Sequence, residues 1–345
     1  MEKVYHIGID LHKKFSVIVF VDAAGKVIDR KRVINDKGFI AESLSGVSRD
    51  SCITYEATYN WYWLYDFLIE LGFKVKMAHP KKVRIIAEST IKTDNIDAEV
   101  LAQLERTNFL PESYVPPKEI REVKELLRYR LSLVNHRREL KNRIHAVLGK
   151  CGIISELTDL FGKSGREFLD RITLAQIFRT EIDGYLSIID SINERIAESE
   201  KRIKKMATEN KEAQILMTAP GISYFSSMLL LSEIGTIDRF PAAKKLFAYA
   251  GVVSSTKESA DKVRHGHIIR DSNKYIRWIL IEAIDWAIKK DERLAKFYRK
   301  ISVKRGKQIA RIATARKLLE SIYYMLKNKQ EYIYKSSSKL CIDKY

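Results

Sequence analysis

Residues 4–33, VYHIGIDLHKKFSVIVFVDAAGKVIDRKRV, hold three apolar, β-branched runs in succession. Val4–Ile9 leads to Asp10, Phe15–Val21 follows at once, and Lys26–Val33 comes after the turn Asp22-Ala23-Ala24-Gly25. Short runs of this composition bounded by polar turns predict strands. Three consecutive strands joined tightly predict an antiparallel meander. Beyond it the pattern alternates: a strand at Ser51–Thr54 leading to Glu56, a helix at Trp61–Leu71, a strand at Phe73–Ala78, and a further helix over Pro80–Ala87. Strands followed by alternating helix and strand predict an α/β domain on a mixed sheet, spanning about residues 1–110.

In that arrangement Asp10 and Glu56 both stand at the carboxyl ends of strands, the edge where open α/β sheets place their ligands. The stretch KTDNIDAEVLAQL, Lys92 to Leu104, adds Asp94 and Asp97 at the start of a helix. Thr93 or Asp94 can cap that helix, and Ala98, Val100, Leu101 and Leu104 give it an apolar face. Residues three apart on a helix share a face, so both carboxylates can reach one point. Converging carboxylates repel unless a cation sits between them. Hard cations such as Mg²⁺ select oxygen ligands. An acidic first turn also simply complements a helix dipole. Four acids at strand ends and on one helix face favour a two-cation site, a standard device of phosphodiester chemistry.

Lys and Arg number 62 against 44 Asp and Glu, a net charge of +18 over 345 residues. Such an excess suits a polyanionic partner, because each neutralised phosphate releases condensed counterions. The three cysteines are scattered without a CxxC pair, which argues against a zinc ribbon or disulfide framework and for a reducing compartment. With no signal segment and no run of 18 apolar residues, the expected location is cytoplasmic, with no membrane partner.

From Pro116 the composition changes. Lys118 to Lys150 reads as one long helix with ten Lys or Arg, among them Arg128, Arg130, Arg137, Arg138, Lys141 and Arg143. A second helix, about Tyr185 to Met206, carries apolar residues at near-heptad spacing. The pair predicts an antiparallel hairpin or an intermolecular coiled coil, with the basic face of the first helix toward RNA or DNA phosphates. Residues 215–234 place Pro220-Gly221 between two apolar helices, as in a helix-hairpin-helix unit or a plain αα turn. The segment SSTKESADKVRHGHIIRDSNKYIRW follows, and Lys304 to Lys327 predicts one basic amphipathic helix with Ile309 on its apolar face.

GIDLHK, YEAT and KTDNIDA, in that order, resemble the RuvC-like, RNase H-type domain of the DEDD transposases, the Piv/MooV or insertion sequence one-hundred-and-ten family. The PGI turn, FAYAGV, the serine-bearing loop, HGHI and the N-x-x-x-R helix start resemble that family's C-terminal transposase domain. The resemblance runs from Tyr5 to about Lys327. It implies an RNase H-like domain at 1–112, a basic helical coiled coil at 113–210, a mostly helical C-terminal domain at 211–330, and a tail at 331–345.

It further implies Asp10, Glu56, Asp94 and Asp97 as the Mg²⁺-binding acids, two ions per composite site, and Ser259 as a nucleophile. Ala260 and Asp261 stand where the family's loop has glycines, which keeps Ser254 and Ser255 open as alternatives. Lys13, Lys262, Arg264 and Arg277 join the basic helix as expected nucleic-acid contacts. His12 belongs to the same signature, in a core or surface role. The implied function is strand cutting and rejoining through a covalent phosphoserine. The implied partners are double-stranded DNA, a structured noncoding guide RNA, and further copies of the chain as a dimer or tetramer. The rival reading is a RuvC or RNase H-like nuclease of Holliday-junction resolvase type, which hydrolyses DNA with the acids alone.

Overall fold

The computed structural model describes residues 3–86, 93–259, 262–268 and 272–334. The chain divides into two compact units, Met1–Val115 and Pro116–Tyr345.

Unit 1 is built on a five-stranded sheet: β1 (His6–Leu11), β2 (Phe15–Val21), β3 (Val27–Ile34), β4 (Cys52–Glu56) and β5 (Lys74–Ala78). The order is β3-β2-β1-β4-β5. The first three strands form the antiparallel meander, while β4 runs parallel to β1 and β5 parallel to β4. This mixed sheet is compatible with an RNase H-like transposase fold. Helices α1 (Lys37–Ser43), α2 (Trp61–Glu70), α3 (Pro80–Ile86) and α4 (Asp94–Arg106) complete the unit.

Alternation along β1 decides which layer each residue meets. Ile7, Ile9 and Leu11 enter a core with Ile18, Phe20, Tyr55, Leu64 and Leu68, which α1 and α2 cover. On the opposite face Val17, Val19 and Val21 of β2 pack on Ala98 and Ala102 of α4. Small alanines on α4 let its backbone lie close to the sheet, and that closeness sets up the site.

Among its described residues, unit 2 is helical apart from one hairpin. It comprises α5 (Lys118–Lys150), α6 (Lys163–Arg171), α7 (Gln176–Glu209), α8 (Lys211–Met217), α9 (Tyr224–Ile234), α10 (Ala243–Ala250), strands β6 (Ser254–Ser259) and β7 (Lys262–Ile268), then α11 (Lys274–Lys290), α12 (Glu292–Arg305) and α13 (Lys307–Asn328). α5 and α7 pair antiparallel within the chain: Arg130 bonds Glu200 at 2.6 Å and Arg137 bonds Asn193 at 2.8 Å. α7 begins well before the expected Tyr185.

The core of unit 2 joins α9, α11 and α13 through Leu229, Leu230, Ile276, Leu280, Leu318 and Ile322. Three features differ from the sequence reading. The basic C-terminal helix expected from Lys304 begins at Lys307, separated from α12 by Gly306, whose φ of +84° disfavours a side chain, and Ile309 is 52% exposed instead of buried. The serine-bearing segment is a β-hairpin, not an open loop. Residue Tyr332, expected in a tail, is buried and donates to Asp291 at 2.6 Å, while its amide bonds Thr218. Residues 335–345 of that tail lie outside the described residues. No described helix is long and apolar enough to cross a membrane.

The Pro-Gly turn between α8 and α9 is packed rather than open. Gly221 has φ +80°, and a Cβ there would stand 2.5 Å from the carbonyl oxygen of Ala283 in α11. Gly221→Ala combines strain with a backbone clash, so it should destabilise unit 2 by at least about 1 kcal/mol in urea titration. A neutral result would mean that the turn does not seat on α11 in solution.

Candidate active site

Three rungs hold α4 on β1. At one end His6 Nδ1 pairs with Glu105 Oε2 at 2.5 Å, and Lys76 from β5 reaches the same carboxylate at 3.1 Å. In the middle Gly8 lies under Ala98 and Ala102, so near that any Cβ would meet the Ala98 carbonyl oxygen at 1.8 Å. At the far end Asp10 faces the first turn of α4, which Thr93 caps by accepting from the amide of Ile96. His6, Gly8 and Asp10 alternate with the core isoleucines, so strand geometry delivers all three to the helix side.

Asp10 and Asp94 converge there on His12. The imidazole Nε2 lies 3.0 Å from Asp10 Oδ2 and 3.2 Å from Asp94 Oδ2. One donor atom from each of the three residues falls within 4.8 Å of the others. Asp97 and Glu56 are not in this tight group. Asp97 is nonetheless close enough to push the Asp10 carboxyl upward. Glu56 is the residue following the last matched pair, Ile9 with Tyr55, of the parallel β1–β4 ladder, so it ends its strand beside Asp10. Lys13 is exposed just past β1.

Burial raises the Asp10 carboxyl above its ordinary value; His12 opposes that, and Asp94 and Asp97 add to it. An anion that is disfavoured in the bare protein is one that a cation stabilises. The donors fit such an ion: two carboxylates and an imidazole nitrogen on one point, the nitrogen buried and without a hydrogen bond. Because Asp10 titrates above its unfolded value, its ionisation destabilises the metal-free protein as pH rises through the folded pKa. Asp10→Asn should therefore raise the metal-free melting temperature of unit 1 at pH 7 while abolishing its upward shift with divalent cation. An Asp10→Asn protein that melts lower, or keeps the cation shift, would contradict this electrostatic account.

In unit 2, Ser259 is the last residue of β6 and pairs with Lys262 at the start of β7, so it stands at the hairpin tip. Residues 260 and 261 between them lie outside the described residues, as do the side chains of Ser255, Ser259, Lys262 and Arg264. Ser254 is exposed at the opposite end of β6. Past residues 269–271, which lie outside the described residues, Asn273 caps α11 by accepting from the amides of Tyr275 and Ile276.

Asn273 also donates to Glu233 Oε2 at 2.7 Å. Glu233, on α9, has a fully buried carboxylate that receives Lys124 at 2.8 Å and Arg128 at 2.9 Å from α5. Burial would raise this carboxyl, but the two cations and Asn273 outweigh it and hold the group below the ordinary carboxylate range. Glu233 belongs to no sequence motif. Its sequence signal is that it is the one charged residue in the apolar run ISYFSSMLLLSEI.

A family model of DEDD transposases of the IS110 type matches residues 7–152, and a second, for the IS116/IS110/IS902 transposase family, matches residues 213–299. The transposase for insertion sequence element IS1111A of Coxiella burnetii is 23% identical, over 96% of this chain and 92% of its own length. That for IS1328 of Yersinia enterocolitica is 26% identical over 82% and 83%. The first match takes in Asp10, Glu56, Asp94 and Asp97 and the second takes in the β6–β7 hairpin.

The chain belongs to the IS110/IS116 transposase family.

It is thus a DNA-processing enzyme that cuts and rejoins DNA. The expected nucleic-acid contacts of this transposase fall into two groups. Arg128 and Arg130 are committed internally, to Glu233 and Glu200, and their guanidiniums lie over the rings of Tyr275 and Phe225. Lys141 lies over Phe161, and burial together with Arg137 lowers its pKa. Arg138 and Arg143 are exposed, while Arg137 is half-buried against Asn193. Arg277 donates to Ser272 at 3.4 Å.

Proposed function

We propose that this transposase breaks and rejoins DNA by transesterification, with Ser259 as nucleophile and Asp10, Glu56, Asp94 and Asp97 holding divalent cations, Mg²⁺ among them. The observation that carries the reading is the convergence of Asp10 and Asp94 on one point at 3.0 and 3.2 Å from His12. The cations supply charge stabilisation at the phosphoryl oxygens and a more acidic attacking hydroxyl. The protein's own groups do the rest. The serine Oγ–P bond replaces one P–O bond of the strand, and the departing DNA hydroxyl takes the proton. Attack by a second DNA hydroxyl on the phosphoserine then reverses the exchange, so the bond energy is conserved for rejoining.

The acids and the serine lie in separate units of the chain, which accords with assembly of dimers or tetramers with sites completed between copies. The net charge of +18 supports a second polyanion beside DNA, a structured noncoding RNA that guides target choice. Exposed Arg138 and Arg143 on α5 are its proposed contacts, since Arg128 and Arg130 serve internal pairs.

The test is a denaturing gel of the protein with Mg²⁺, labelled element-junction DNA and flanking noncoding RNA. Wild type should form a protein–DNA adduct that survives denaturant, and both Ser259→Ala and Asp10→Ala should lose it. Cleavage without an adduct, lost only in Asp10→Ala, would instead mean a hydrolytic nuclease. Arg138→Ala/Arg143→Ala should weaken RNA retention and shallow its salt dependence by about two charges. An unchanged salt slope would move the RNA to another face.

A further inference from the structure

We propose that His12 is a direct metal ligand beside Asp10 and Asp94, and that it biases the site toward Mn²⁺ over Mg²⁺. The proposal rests on the reading that those two aspartates hold the ion. It adds a nitrogen donor to what is otherwise an all-carboxylate set.

Geometry separates a ligand from a simple hydrogen-bonding neighbour. Nε2 lies 3.0 Å and 3.2 Å from two carboxylate oxygens, an approach close enough to lower the Asp10 carboxyl, yet the atom is covered and its N–H is aligned with neither oxygen. An imidazole that merely clasped a carboxylate would aim its N–H along the line to one oxygen. Adjacent ligands on one six-coordinate ion at about 2.1 Å stand about 3 Å apart, each with its lone pair directed well off the line to the other. Close approach without alignment is what shared coordination produces.

The imidazole is also held in place before any ion arrives. The His12 carbonyl accepts from Asn35 Nδ2 at 2.7 Å and from Asn60 Nδ2 at 3.1 Å, and its amide donates to the Phe15 carbonyl at 3.1 Å. Its ring packs on Phe15 with centroids 4.7 Å apart. Asn35 is itself fixed by a 2.6 Å bond from Ser16. Residues from the start of β2, the position after β3 and the N-terminus of α2 thus fix the backbone that presents the nitrogen. A preorganised ligand loses little freedom on binding. An imidazole nitrogen is a poor ligand for the hard Mg²⁺ and a better one for every first-row transition-metal ion, with Mn²⁺ gaining least among them, so the nitrogen should still raise affinity for Mn²⁺ more than for Mg²⁺.

Two readings of the full-length protein test this without activity. Pulsed electron paramagnetic resonance of the Mn²⁺-loaded wild type should show ¹⁴N modulation from a directly bound imidazole. Titration with Mn²⁺, and with Mg²⁺ as competitor, should show His12→Ala cutting Mn²⁺ affinity at least ~10-fold and Mg²⁺ affinity by a smaller factor. Asp10→Asn should lose Mn²⁺ binding. Mn²⁺ bound in an Asp10-dependent way but with no nitrogen modulation would overturn the role of His12 and leave the carboxylate site standing. Mn²⁺ binding that survives Asp10→Asn would overturn the carboxylate reading and the proposal with it. Because the modulation is read on wild type, a misfolded variant cannot mask the answer.

Discussion

Gly8→Ala should destabilise unit 1 by about 3 kcal/mol or more and reduce strand cleavage at least ~100-fold. The added methyl would stand 1.8 Å from the Ala98 carbonyl oxygen and 2.9 Å from the Ala102 amide nitrogen. These are backbone atoms of a regular helix, with no rotamer to change. α4 has to move off the sheet until ordinary contact is restored, a shift of more than an ångström. That shift exposes Val17 and Val19 and carries Asp94 away from Asp10, so stability and chemistry fall together. Gly184→Ala, in α7, is the control: a Cβ there meets nothing, so the change should stabilise by about 0.5–1 kcal/mol. Urea unfolding of the three proteins, with cleavage assayed in parallel, decides the matter. A Gly8→Ala protein as stable and active as Gly184→Ala would refute the close seating of α4.

Glu233→Ala should cost about 3 kcal/mol in unit 2, the low end of the range for breaking a buried pair. Two cations lose their partner at once, but Arg128 keeps 36% of its side chain exposed and can recruit water. Lys124, only 14% exposed, has less recourse. The loss reaches beyond stability, because Glu233 ties the Asn273 cap of α11 to α5. In sequence, that cap stands between α11 and the hairpin bearing Ser259.

The pH dependence follows from the lowered carboxyl. A depressed folded pKa contributes stability that is present above the unfolded value of 4.5 and lost as pH falls through the folded one. The gap between wild type and Glu233→Gln should be full at pH 7 and shrink progressively below about pH 4.5. A gap independent of pH down to strong acid would mean that the Glu233 charge adds nothing. Replacing Lys124, Arg128 and Glu233 together with apolar residues should recover much of the loss, since burying charges is itself unfavourable.

Much of this chain was legible residue by residue. The Phe15–Val21 strand and the Lys118–Lys150 helix coincide with the runs of apolar period that announced them. Thr93 caps α4 as its position before an apolar-periodic run suggested. The acids Asp10 and Asp94 could be named from strand ends and a helix start, and the structure brings them together. His12 was harder, because a lone histidine two residues past an acid carries no period of its own. On the basic face of α5, Arg128 and Arg130 read as contacts to nucleic-acid phosphates, but they pair with Glu233 and Glu200 on helices far along the chain.

What the sequence determines by itself is therefore local: the period of each element, which face is apolar, where a helix may start, and which residue types could carry phosphodiester chemistry. Those properties depend on neighbours within a few positions. Tertiary structure decided the rest: the insertion of β1 between β2 and β4, the seating of α4 on Gly8, and the meeting of Asp10, His12 and Asp94. Each depends on distances between residues far apart in the chain, set to a few tenths of an ångström by packing. An aspartate carries the same carboxylate wherever it stands; whether it meets another across a cation-sized gap depends on the fold.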